Sequence, residues 1–160
     1  VTATRTAVAL RPATDADRDF LVDVYGASRA EELALVEWAP GQREAFVRMQ
    51  FDAQDASYRA QNPHGSFDVI EVGGEPAGRL YVDRRPTEIR IVDIALLPRF
   101  RGAGTGSHLI RRLQEEAAAA GRILSIHVEV HNRAQELYAR LGFEVAGESG
   151  LYRRMEWSAP

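Results

Sequence analysis

The segment from Ile89 to Ala120 leaves this chain few folds to choose from. Ile89–Leu97 is a nearly continuous apolar run, interrupted only by Arg90 and Asp93, and Pro98 ends it. Its β-branched content predicts a central buried strand. Arg101-Gly102-Ala103-Gly104-Thr105-Gly106 follows, and Leu109, Ile110, Leu113, Ala117 and Ala120 then recur at helical spacing until Gly121 stops the helix. A strand, a glycine loop and a helix in that order belong to an α/β domain. Three glycines at alternate positions let the backbone turn tightly and come close to a ligand. The unpaired N–H groups and dipole of the helix start favour an anion there, and phosphate is the obvious guest.

Three phosphate-binding patterns compete for this loop. A P-loop fails, because no Lys-Ser/Thr pair follows the glycines. The dinucleotide fingerprint fails as well, since Ser107 stands at its third glycine position. The acyl-CoA pyrophosphate pattern Arg/Gln-x-x-Gly-x-Gly/Ala is met by Arg101, Gly104 and Gly106. A ligand-free glycine turn also fits these six residues, so the loop by itself does not decide.

The flanks supply the rest of the fold. Val8–Arg11 is a short apolar segment ended by Pro12, and Thr14 with Asp17 has the spacing of a capping box. Phe20, Leu21, Val24 and Tyr25 predict a helix that Arg29–Val36 extends or restarts. A long helix is predicted from Gly41 to about Ala60, with Phe46, Met49, Ala53 and Ala60 as its apolar face. Phe67–Val72 and Ala77–Val82 read as a hairpin around Gly73-Gly74. Ile123–Val130 is a strand, Asn132–Leu141 a short helix, and Phe143–Glu148 with Leu151–Trp157 a closing hairpin. The order is β-α-α-β-β-β-α-β-α-β-β, without internal repeat or linker, so residues 1–160 are expected to form a single mixed α/β domain.

Beyond the strand at Ile123–Val130 comes Asn132-Arg133-Ala134-Gln135-Glu136-Leu137-Tyr138-Ala139-Arg140-Leu141-Gly142-Phe143. Here the sequence resembles the GNAT superfamily of acyl-CoA N-acyltransferases. Those proteins carry the Arg/Gln-x-x-Gly-x-Gly/Ala loop after their fourth strand. A fifth strand, an Asn, an Ala two residues on, a Tyr and a Leu-Gly-Phe follow in order, as they do here. Local physics explains several of these residues without any ligand. Asn132 with Gln135 makes a good helix start, and Ala134, Leu137 and Leu141 are core positions. Tyr138 shares the face of Ala134 and Leu141 and would by pattern alone be a packed aromatic.

The resemblance implies a mixed, mostly antiparallel sheet of about seven strands flanked by about four helices, splayed between its fourth and fifth strands. CoA would sit in that gap. Carried onto this chain, backbone groups of Ile94, Ala95 and Leu96 bind the pantetheine and the thioester oxygen. Backbone N–H groups of Arg101, Gly102, Ala103, Gly104, Thr105, Gly106 and Ser107 hold the pyrophosphate, and Asn132 touches the pantetheine arm. Tyr138 is the implied general acid toward the departing thiolate. The base is less defined. Arg90 stands where some members place a Glu, which leaves Glu88 and Asp93 as weak candidates and Glu129 and His127 as further ones. A water-mediated route is compatible with that departure. The acceptor wall implied by the resemblance falls on Tyr25, Arg29, Glu31, Glu32 and Trp38. Glu31-Glu32 would attract a cationic amine but also reads as a solvated helix face, and Trp38 reads equally well as a core anchor.

Composition closes off other classes. The absence of cysteine excludes thiol nucleophiles, disulfides and Cys-based zinc sites, and His127 and His131 lack partners for a metal site. A net charge of −3 speaks against a nucleic-acid binder. No apolar run approaches the ~20 residues of a membrane span. The N-terminus shows no basic region followed by an apolar one, and the lack of cysteine fits the expectation of a cytoplasmic protein. Dimers are common in the resembled superfamily, which makes a homodimer compatible. The function implied is transfer of an acetyl group from acetyl-CoA to a primary amine of a small molecule or peptide. Antibiotics, polyamines, amino acids, protein N-termini and lysines all fit as acceptors. The alternative is an acyl-CoA-binding sensor or adaptor with little turnover, favoured only by Arg90 in the place of the Glu. A bare phosphate-binding module would not need the Asn132–Phe143 block.

Overall fold

Alternation along the strands divides the core into two layers, one on each face of a central sheet. The computed structural model describes residues 6–160. Its seven strands are β1 (Val8–Pro12), β2 (Ser66–Val72), β3 (Glu75–Arg84), β4 (Glu88–Leu96), β5 (Ile123–Glu129), β6 (Glu144–Ser149) and β7 (Tyr152–Trp157). They lie in the order β1-β2-β3-β4-β5-β7-β6. All neighbours are antiparallel except β4 and β5, which run parallel because a helix carries the chain between them. The helices are α1 (Arg18–Ser28), α2 (Ala30–Leu33), α3 (Gln42–Gln61), α4 (Thr105–Ala120) and α5 (Ala134–Arg140).

On one face, Ile70, Leu80, Ile89, Ile91, Leu124 and Ile126 meet Leu109, Ile110, Leu113 and Ala117 of α4. The helix spacing read from sequence is thus the buried stripe. Each of its large side chains contributes about 1.5–3 kcal/mol by leaving water. On the other face, Leu21, Val22 and Tyr25 of α1 and Val47 and Phe51 of α3 cover Val69. The first turn of the chain is fixed by Asp17, whose Oδ2 accepts from the Thr14 N–H at 2.8 Å and whose carboxylate pairs with Arg11 at 2.8 Å.

Two local expectations do not survive. The face of α3 that packs is Val47 and Phe51, continued by half-buried Gln54 and Tyr58, whereas Met49, Ala53 and Ala60 are exposed. Helical spacing fits either stripe; the sheet beneath α3 selects the one that carries Gln54 and Tyr58. Gln135 does not complete a capping box with Asn132. Its Nε2 donates to the Glu129 and Val130 carbonyls at 3.0 and 2.7 Å, tying α5 to the end of β5. Among the described residues no helix is long and apolar enough to cross a membrane.

Candidate active-site cleft

The cleft begins where two parallel strands part. β4 and β5 pair only over Glu88–Ile91 against Ile123–Ile126. Beyond that point β4 stays with β3 and β5 stays with β7, so each keeps one hydrogen-bonded edge. A register shift marks the parting: Tyr81 faces Asp93 and Val82 faces Ile91, which leaves Val92 as a bulge in β4. A bulge bends its strand and increases the local twist. The gap is a cleft of about 770 Å³, walled by Val92, Asp93, Ile94 and Ala95 on one side and by Ile126, His127, Val128 and Glu129 on the other. Strand backbone without a neighbour is a row of donors and acceptors for an extended, amide-bearing ligand.

The glycine loop lies at the end of β4. Pro98–Phe100 forms one tight turn, and the Arg101 guanidinium folds back so that its Nε donates to the Leu96 carbonyl at 2.9 Å. Leu96 therefore packs into the core with its carbonyl engaged, while Ile94 and Ala95 face the cleft. Gly104 adopts φ 84°, which turns the chain into α4. The first helical bond runs from the His108 N–H to the Gly104 carbonyl, so the N–H groups of Thr105, Gly106 and Ser107 have no partner within the helix. Gly106 has ordinary φ and no atom within 4 Å of where a Cβ would stand. The loop thus presents bare backbone and empty space beside a helix N-terminus, the setting in which phosphate binds.

Tyr138 of α5 reaches the cleft while its ring packs on Phe143, with centroids 5.8 Å apart. Burial first, and the Asp93 carboxylate second, push its pKa above that of a free tyrosine, so the phenol keeps its proton at neutral pH. Asn132 also lines the cleft, and its Oδ1 accepts from the Ala134 N–H at 2.9 Å. Asp93 faces the cleft and is ion-paired with Arg79, whose Nη2 also donates to Gln54 Oε1 at 2.7 Å. His127 lines the cleft too; burial first, then the positive charge of Arg90 and Arg154, lowers its pKa and favours the neutral imidazole.

Glu88 is not among the residues lining the cleft. It accepts from Ser125 Oγ at 2.6 Å, from Arg154 at 2.7 Å and from Arg90 at 3.0 Å. Although burial opposes ionisation, these donors bring its pKa down to about 2. A carboxylate so held is a poor proton acceptor, and the expectation that Glu88 is a base candidate is corrected on both counts. The acceptor-side expectations divide. Arg29, Glu31 and Glu32 line the cleft, with Arg29 Nη1 at 3.0 Å from both Glu32 and Glu129. Tyr25 and Trp38 do not: they line a separate, smaller pocket, and the Trp38 Nε1–H donates to the Leu33 carbonyl at 2.9 Å.

Among the polar cleft residues that escaped the sequence reading are Gln54 and Tyr58 of α3, Arg79 of β3 and Tyr152 of β7. Arg79 carried a signal. A charged residue inside the apolar run Ala77–Val82 is buried to 2 % exposure only if something satisfies it. Gln54 and Tyr58 carried none, because choosing the buried stripe of α3 requires knowing what it packs against.

The acetyltransferase (GNAT) family model matches residues 29–143. An uncharacterized N-acetyltransferase of Methanocaldococcus jannaschii is 40% identical over 89 residues, covering 49% of this chain and 38% of the relative. A Bacillus subtilis protein, provisionally named as a ribosomal protein bS18-alanine N-acetyltransferase, is 34% identical over 89 residues, covering 54% of this chain and 59% of the relative. The chain thus spans less than two thirds of the length of these curated relatives. Among solved structures, the PaiA N-acetyltransferase of Thermoplasma acidophilum in complex with coenzyme A superimposes with a TM-score of 0.71 at 16% identity, covering 96% of this chain and 99% of that one.

Proposed function

The chain belongs to the acetyltransferase (GNAT) family, and from that membership we propose that it moves an acetyl group from acetyl-CoA to a primary amine by direct attack on the thioester. The observation that carries this reading is the parting of β4 and β5, with Tyr138 on one wall and the start of α4 beyond the end of β4. Acetyl-CoA supplies the thioester as co-substrate. The β4 edge that faces the cleft at Ile94 and Ala95 holds the pantetheine amides, and the N–H groups of Thr105, Gly106 and Ser107 hold the pyrophosphate. Superposition on a fold crystallised with coenzyme A supports that placement.

Amide formation requires the amine nitrogen to bond to the carbonyl carbon, the carbon–sulfur bond to break, and two protons to move. Backbone N–H groups near the β4 bulge stabilise negative charge developing on the thioester oxygen. The Tyr138 hydroxyl gives its proton to the departing sulfur. The proton lost by the amine passes, directly or through water, to Asp93 or to neutral His127, which both face the cleft. Arg79 fixes the Asp93 carboxylate in place. A CoA-release assay over a panel of primary amines tests the reading: at least one amine gives saturable, stoichiometric CoA release. Tight CoA binding with no release above hydrolysis for any amine would instead identify a binding protein.

A further inference from the structure

A second pocket, of about 360 Å³, adjoins the cleft on the side of the early helices. Three aromatic rings, Tyr25, Trp38 and Phe46, and three aliphatic side chains, Leu33, Val36 and Val47, line it together with the amide of Gln50. Arg29 and Glu32 line both cavities, so their ion pair is the partition between them. Glu129 anchors the partition from β5, and Glu31 stands on the cleft side only. The apolar surface of the pocket is partly wet: Val36 is 50% exposed and Phe46 38%.

We propose that this pocket receives the apolar side group of the acceptor, which makes the acceptor a primary amine carrying an aromatic ring. This rests on the acetyl-transfer reading of the cleft and adds the substrate class. The volume is near the low end of the roughly 300–1,000 Å³ typical of ligand pockets, which suits one ring rather than a large ligand. The Trp38 and Phe46 rings lie tilted with centroids 5.3 Å apart, an arrangement to which a further ring adds. Polarity runs the right way: the amine is left in the cleft beside the Glu31 carboxylate, and the ring lies among mostly apolar side chains, with Gln50 and the Arg29–Glu32 pair at the margin. A polyamine fits badly. Its second ammonium would meet the Arg29 guanidinium, which lies 5.9 Å from the Tyr25 ring centroid and already occupies that cation-binding face.

The test uses 2-phenylethylamine and 1,4-diaminobutane as probes, on the CoA-bound protein and in turnover. Trp38 and Trp157 are the two tryptophans of the chain, so a Trp157→Phe background makes Trp38 emission a direct report on the pocket. Phenylethylamine shifts that emission saturably and diaminobutane does not. Val36→Asp places a charge in the pocket at a half-exposed position. It weakens phenylethylamine binding by about tenfold or more, appearing in KM with kcat nearly unchanged, and leaves the KM of diaminobutane unaltered. Phe46→Ala acts in the same direction if Val36→Asp fails to fold. No saturable Trp38 response to phenylethylamine, or equal KM shifts for both amines, overturns the proposal. If CoA binds but no amine is acetylated, the transfer reading falls, and the Trp38 titration alone decides what the pocket holds.

Discussion

Two titratable side chains, one on α5 and one on β4, receive opposite treatment. Tyr138 is buried at the cleft near the Asp93 carboxylate, and its pKa rises; Glu88 is surrounded by Ser125, Arg90 and Arg154, and its pKa falls to about 2. The first keeps its proton at neutral pH, and the second stays ionised and holds β4, β5 and β7 together. Tyr138→Phe keeps the ring and its packing on Phe143 but removes the proton. General acid groups contribute roughly 10²–10⁴-fold, so kcat should fall by that order while calorimetric CoA affinity stays unchanged. A wild-type rate would make Tyr138 a packing residue. Glu88→Gln should do the reverse. Loss of charge-assisted bonds costs on the order of 1.5–3 kcal/mol in denaturant melts, while kcat is retained. Because the Glu88 pKa is depressed, its stabilising contribution is complete above about pH 4.5 and fades as pH falls toward about 2. The acid limb of the wild-type stability curve should therefore flatten in the variant.

At the level of elements, two glycines separate the needs of the fold from those of the ligand. Gly78 of β3 lies against β4 where β4 forms the cleft wall. A Cβ there would stand 2.1 Å from the Ala95 carbonyl oxygen and 2.9 Å from the Leu96 Cα. The β4 backbone cannot yield cheaply, so Gly78→Ala should destabilise by about 1–3 kcal/mol or more and weaken CoA binding by displacing Ala95. Thermal melts and calorimetry on one preparation should show both losses together. Gly106 is the opposite case: nothing lies near its missing Cβ and its φ is ordinary. Gly106→Val should leave the melting temperature close to wild type and abolish CoA binding, because in the proposed placement the new side chain meets only the pyrophosphate. Gly104 is a poorer probe, since its φ of 84° strains any substitution whether or not CoA binds. Unchanged CoA affinity in folded Gly106→Val would remove the loop from the site.

Across the whole molecule, Tyr58, Tyr81 and Tyr138 sit in or beside the cleft, and burial raises the pKa of each. Their unfolded counterparts ionise near pH ~10. Above that pH the unfolded chain releases protons that the folded chain retains, so stability declines as pH rises from about 10. Tyrosinate absorbance from these three rings should appear with unfolding rather than before it; full ionisation in a still-folded protein would show that they are not buried together. How far the sequence reached follows from the range of each interaction. The α4 stripe, the glycine loop and the Asn132–Phe143 block were legible because each depends on residues near in the chain: helix period, glycine φ, a strand followed by a turn. They were enough to indicate the family and the strand pair between which a cleft would open. What escaped depends on crossings between distant segments. The stripe of α3 that faces inward, the burial of Arg79 against Gln54 and Asp93, the removal of Glu88 into a three-donor cage, and the diversion of Tyr25 and Trp38 into a second pocket are set by which elements meet. Local sequence fixes the conformations available to each segment; only the closing of the sheet and the laying of α1 and α3 across it decide which side chains share a cavity.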